Sequence, residues 1–168
     1  MRDLEAVVGD LKLRRLSLFG SSEAGPLAMA YAARWPRRVS RLVLYGTCAC
    51  PTRTPATDAL VALVRAEWGI GSDTMMSILS PDATPEERHQ WIRFSREAAT
   101  PEEAALMLEG NLNTDVRALL PMIKAPTLVL HAKGDRAHRL RAWARGGGRN
   151  PGGAPGAPRR PQPHPEAR

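Results

Sequence analysis

Apolar and polar positions change period several times along the chain, and the changes mark its elements. Residues 3–13 place Leu4, Val7, Val8 and Leu11 at i, i+3, i+4 and i+7, one face of a helix. A short apolar run at 15–19 predicts a strand. Residues 23–34 are rich in alanine and carry Pro26 in the first turn, where a missing N–H costs little, so a helix is expected there. Trp35-Pro36 ends it. Residues 39–45 predict a second strand, with the continuous apolar end of a buried parallel strand, closed by Gly46.

Beyond residue 50 the strand period disappears. A helix is expected at 57–67, with Leu60, Leu63 and Val64 on one face, and a short one at 73–79. Two further helices are announced by the same device, a threonine followed by proline and two acids, at Thr84 and at Thr100. Residues 115–123 add a helical turn or two. A third apolar strand, 126–131, runs into a loop holding Gly134 and Asp135. Strands alternating with helices predict parallel β-α-β crossovers. The expected fold class is therefore α/β, a partial parallel sheet of about three strands with a helical cap insertion. Core is expected at 1–50 and 124–136, cap at 51–123, and a separate tail at 137–168.

The tail changes the meaning of the composition. The chain has 168 residues, a net charge of +7 and a pI near 10.4. Residues 137–168 hold seven arginines and one acid, +6, which leaves 17 basic against 16 acidic residues in 1–136, +1. A basic pI would suggest a nucleic-acid partner, but on this count the body is almost neutral, so no specific nucleic acid is expected. Glycine, proline and arginine dominate the tail, and such a segment buries too little surface to offset its ordering entropy. Disorder is expected from about residue 141. The abruptness of the change predicts a shift of reading frame near codon 136.

Other classes are excluded more simply. No run approaches ~18 uninterrupted apolar residues, so no membrane partner is expected. Asp3, Glu5 and Asp10 interrupt the N-terminus, which does not read as a signal peptide. Cys48 and Cys50 are the only cysteines, too close for an ordinary bridge and too few for a zinc site. No metal or other cofactor is expected, and the setting expected is a reducing cytoplasm.

One stretch carries chemistry. Leu16-Ser17-Leu18-Phe19 runs into Gly20, and Ser22 follows before the helix at 23–34. A glycine-flanked serine between strand and helix with no gap fits a nucleophile elbow, a sharp turn that holds serine in a strained conformation. The five-residue pattern is Gly20-Ser21-Ser22-Glu23-Ala24, with Gly25 next. A serine that merely caps the helix is the alternative.

The stretch LSLFGSSEAGPLAMAYAARWPRRVSRLVLYGTCA, with DVRALLPMIKAPTLVLHAKGDR downstream, resembles α/β-hydrolases, of the kind found alone or attached to bacterial adenylate cyclases and transcriptional regulators. The resemblance spans residues 1 to about 136. It implies Ser22 as nucleophile, the backbone N–H of Glu23 as an oxyanion donor at a helix N-terminus, and Asp135 as the acid that orients a histidine. The implied chemistry is serine-dependent hydrolysis of an ester-like small molecule. Two parts of the family pattern are not matched. The strands that precede the elbow in the family, with the loop that gives the second oxyanion donor, have no counterpart here. The family's histidine lies roughly 28 residues past the acid. His89 and His131 read as structural, His138 is too near Asp135, and His164 has the spacing but no strand before it. An impaired hydrolase is expected, with a non-catalytic small-molecule-binding or regulatory domain as the alternative. Trp68, Met75, Met76, Trp91 and Phe94 are candidates for an apolar site in the cap, though their helical spacing fits a core better. The pattern is silent on oligomeric state.

Overall fold

The computed structural model describes residues 1–131. Asp135, His138, His164, the tail at 137–168 and the expected change at codon 136 all lie outside the described residues. The order is α1 (Arg2–Asp10), β1 (Leu16–Ser21), α2 (Ala24–Arg34), β2 (Val39–Tyr45), α3 (Pro55–Ala66), α4 (Trp68–Leu79), α5 (Pro85–Ala98), α6 (Pro101–Leu112), a 3-10 helix (Arg117–Met122) and β3 (Thr127–Leu130).

Hydrogen bonding joins the three strands in the order β1-β2-β3, every pair parallel. The register sets Ser21 beside Tyr45 and Tyr45 beside Leu130, so all three strands finish together. One sheet face is buried. Leu42 and Leu44 of β2 lie in a core with Val8 of α1, Ala28, Met29, Tyr31 and Ala32 of α2, and Leu120 of the 3-10 helix. Leu4, Leu16, Leu18 and Val129 complete it. The opposite face carries Phe19, Val43 and Leu128 in register, and Phe19 is 65% exposed. An all-parallel sheet ordinarily hides both faces; here Phe19 and Leu128 are exposed and Val43 is half-buried.

The first helix corrects the sequence expectation. Leu4 and Val8 turn inward as predicted, but Val7 and Leu11 are 55% and 59% exposed. Only half of the apolar stripe meets the sheet.

The helical block forms its own small core of Val61, Val64, Ala104 and Ala105, flanked by Trp68, Met75 and Leu108. Its helix starts are built locally. Thr84 Oγ1 accepts from Glu87 N–H, and Glu87 Oε2 accepts from Thr84 N–H at 2.7 Å; Thr100 and Glu103 repeat the exchange. These are reciprocal capping boxes with proline at the first helical position. Thr54 and Thr57 make a third, so α3 starts two residues before the predicted 57. The short helix expected at 73–79 is a full twelve-residue element from Trp68. The 3-10 helix packs on α2 and places Leu120 in the sheet core.

Candidate active site

The chain turns sharply where β1 meets α2. Ser22 sits in that turn with φ of +51°, in the left-handed region that side chains other than glycine rarely enter. Its amide donates to Tyr45 O at 3.1 Å, tying the turn to the end of β2, and its carbonyl accepts from Gly25 N–H at 3.0 Å. A residue held there costs on the order of 1–3 kcal/mol. A helix-capping serine would instead be extended, with its hydroxyl accepting from the first helical turn. Ser22 does neither: the cap position is Glu23, with φ of −63°, and no side chain caps α2.

Close packing on both sides fixes the turn. A side chain at Gly20 would meet Ala28 Cβ and Gly25 Cα, both at 2.9 Å, so β1 and α2 cross in near backbone contact. A Cβ at Gly25 would overlap Thr47 Oγ1 and stand 2.5 Å from its Cγ2. The residue that must be glycine on the helix side is therefore Gly25. Ala24, which closes the five-residue pattern, is exposed. Gly25 was visible in the sequence as the next residue. Thr47, which wedges against it, carried no signal there. It is 1% exposed, follows Gly46 at φ of +52°, and its hydroxyl has no hydrogen-bond partner among the described residues.

Electrostatics at the turn favour an anion. The Glu23 N–H precedes the first turn of α2, where unpaired amides and the helix dipole carry partial positive charge. The Glu23 side chain is exposed. The turn opens at the carboxyl ends of the strands, the side on which parallel sheets bind ligands. The chain leaves β3 on this side too, since Gly46 N–H donates to Leu130 O at 3.0 Å, five residues before Asp135. Asp135 itself is outside the described residues, so only Ser22 and Glu23 of the predicted set are brought together.

The remaining candidates lie elsewhere. His89 is exposed on α5, and His131 immediately follows β3. Trp68 and Met75 pack in the cap core, where Trp68 Nε1 donates to Ala99 O at 3.0 Å. Trp91 and Phe94 pair with ring centroids 6.4 Å apart, and Phe94 is exposed. These aromatics do not converge on one pocket. A cleft of about 690 Å³ in the cap is lined by Glu67, Trp68, Ile70, Arg96, Ala99 and Glu103, away from Ser22. No group of three metal-ligating side chains occurs among the described residues. No described helix is long and apolar enough to cross a membrane.

A strained serine between a parallel strand and a helix, glycines where the two cross, and a helical block after the second strand define part of the α/β-hydrolase fold. Comparison with solved structures shows the same fold. The chain is similar to a hydrolase from Oleispira antarctica (TM-score 0.78, 16% identity, covering 94% of this chain and 61% of that one). It is similar to an esterase from Exiguobacterium antarcticum (TM-score 0.78, 22% identity, 92% and 62%). An enol-lactonase from Burkholderia xenovorans aligns at a TM-score of 0.70 and 24% identity, covering 86% and 58%. The chain thus spans about three-fifths of the length of these proteins. No family model matches the sequence, and no curated protein matches it.

Proposed function

We propose that this chain carries the nucleophile half of a serine hydrolase acting on an ester-like small molecule. Ser22 is the nucleophile and the Glu23 amide an oxyanion donor. The observation that supports this best is the left-handed conformation of Ser22 at the strand-helix turn. Strain of that kind gathers at functional sites, and no side chain caps α2 at this turn. Asp135 is proposed as the acid that would orient a histidine. The substrates of the structural neighbours fit this class: an esterase and an enol-lactonase both act on ester-type carbonyls.

The chemistry follows. Ser22 Oγ attacks the carbonyl carbon, its proton passes to a base, and the carbonyl oxygen becomes an oxyanion held by the Glu23 N–H. The acyl-serine forms as the alcohol leaves with a proton, and water then releases the acid. No histidine of the sequence matches the family's position for the base, and turnover far below that of a complete triad is proposed. Sites lacking a triad member keep roughly 10³–10⁴-fold acceleration over water.

Hydrolysis of a short-chain aryl ester by the full chain tests this. Slow turnover above the buffer rate is expected, abolished in Ser22→Ala. Turnover equal in the two proteins would overturn it. Saturable ligand binding without any turnover would favour the non-catalytic binding domain instead.

A further inference from the structure

The near-neutral sum over the body hides a separation of charge. Residues 1–50 hold eight basic and four acidic side chains, +4, while 51–123 hold six and eleven, −5. The basic groups gather at one end of the sheet, opposite the elbow. Lys12, Arg14 and Arg15 lie in the turn entering β1, and Arg37 and Arg38 lie in the turn entering β2. Leu16 N–H donates to Arg38 O at 2.9 Å, so the two turns are adjacent. Arg41 pairs in register with Ser17, and Lys124 precedes Pro126, whose carbonyl accepts from Leu42 N–H. All seven are exposed, and none is ion-paired with a described carboxylate. Glu5 on α1 is engaged by Trp35 Nε1 and by Arg34. Asp10 is the one carboxylate between residues 7 and 19.

Exposed apolar side chains interleave with these cations. Val7, Leu11 and Leu13 are 55%, 59% and 40% exposed, and Leu13 stands between Lys12 and Arg14. Leu13 N–H donates to Val8 O, which folds the turn back so that its aliphatic and basic groups share one end of the molecule. A nucleic-acid backbone would use the cations and gain little from the leucines. An anionic bilayer uses both, headgroups taking the charges and the acyl boundary taking the apolar groups.

The expectation of no membrane partner rested on the lack of a spanning segment, which leaves surface binding open, and we propose that this basic end, with Val7, Leu11 and Leu13 at its rim, is a docking surface for an anionic lipid bilayer. The proposal is independent of the hydrolytic reading. It orients the elbow and the acidic helical block away from the membrane, because they lie at the other end of the strands.

Cosedimentation of the full chain tests it, using phosphatidylcholine vesicles with and without about a quarter phosphatidylserine. Binding to the anionic vesicles alone is expected, and high salt should weaken it. Each cation near such a surface contributes about fivefold in affinity, so Arg14→Gln/Arg15→Gln/Arg37→Gln should weaken binding ~100-fold. Leu11→Ser/Leu13→Ser should weaken it ~10-fold or more. All five positions are exposed, and circular dichroism checks that the variants fold. Equal binding to neutral and anionic vesicles overturns the proposal. So does a base variant that binds like the wild type while Arg159→Gln/Arg160→Gln abolishes binding, which would assign the effect to the tail. Random-sequence duplex DNA binding as tightly as the vesicles, with Leu11→Ser/Leu13→Ser unchanged, would also overturn it in favour of a phosphate-backbone surface.

Discussion

Replacing Gly25 with alanine tests the packing that holds the elbow. In an unobstructed helix this change stabilises, because alanine has the higher helix propensity by about 1 kcal/mol. At Gly25 the new Cβ would overlap Thr47 Oγ1 and lie 2.5 and 2.6 Å from its Cγ2 and Cβ. Rotating the threonine does not relieve this, since Thr47 Cβ is itself too near. The backbone at 46–47 must move, and Thr47 is fully enclosed. Overpacking of this kind costs typically ~1–3 kcal/mol. With the propensity gain subtracted, a net loss of up to about 2 kcal/mol remains, which at that limit is roughly 4–8 °C in Tm for a chain of this size. Thermal unfolding followed by circular dichroism reads it. The control is Gly110→Ala on α6, where a Cβ meets nothing within 4 Å and a gain of up to ~1 kcal/mol is expected. The double variant Gly25→Ala/Thr47→Gly should unfold close to Thr47→Gly alone, because the clash is gone. Gly25→Ala melting at or above the wild type would refute the close crossing of α2 and Thr47.

Three further outcomes are expected. Ser22→Gly should raise the unfolding free energy by about 1 kcal/mol or more, because glycine adopts positive φ without strain, while Ser22→Ala should not; the same melts check both. Acid should weaken the fold: the Arg117 guanidinium, bonded to Asp115, holds that carboxyl down at about 2, and the Thr100 amide holds Glu103 below its usual value. Groups lowered by folding stabilise above their unfolded pKa and lose that contribution as pH falls, so denaturant midpoints should drop between about pH 5 and 2. Asp115→Asn should flatten that drop, and an unchanged slope would count against the pair. Thr84→Ala and Thr100→Ala should each destabilise by about 1 kcal/mol, read by the same denaturation.

Strands and capped helices were legible because their signals are local. Val39–Tyr45 carries its own apolar run, and Thr-Pro-Glu-Glu at 84 and 100 states both cap and dipole partner. Elsewhere the third dimension decided. The start of α4 was missed because Gly69 and Gly71 interrupt the apolar period, yet Gly71 is where α4 meets Val64, whose Cα would stand 2.7 Å from a Cβ there. Thr54 was missed as a cap because its reciprocal partner is Thr57 rather than an acid. Half of the stripe on α1 remained exposed because no described element lies against Val7 and Leu11. At the site, the turn and the serine were legible from order alone. The wedge of Thr47 was not, since it comes from the loop after β2 and reaches Gly25 only through the fold. Charge behaved similarly: the sequence splits it between 1–50 and 51–123, but only the placement of the strand ends gathers the basic residues at one end of the sheet.

The most direct test of the central claim is the reaction of the full chain with a fluorophosphonate, followed by peptide mapping. An elbow serine facing an oxyanion donor should take the adduct in the tryptic peptide 16–34, on Ser22 rather than Ser17 or Ser21, and Ser22→Ala should abolish it. An adduct absent from Ser22, or scattered over surface hydroxyls and unchanged in Ser22→Ala, would contradict its assignment as the nucleophile.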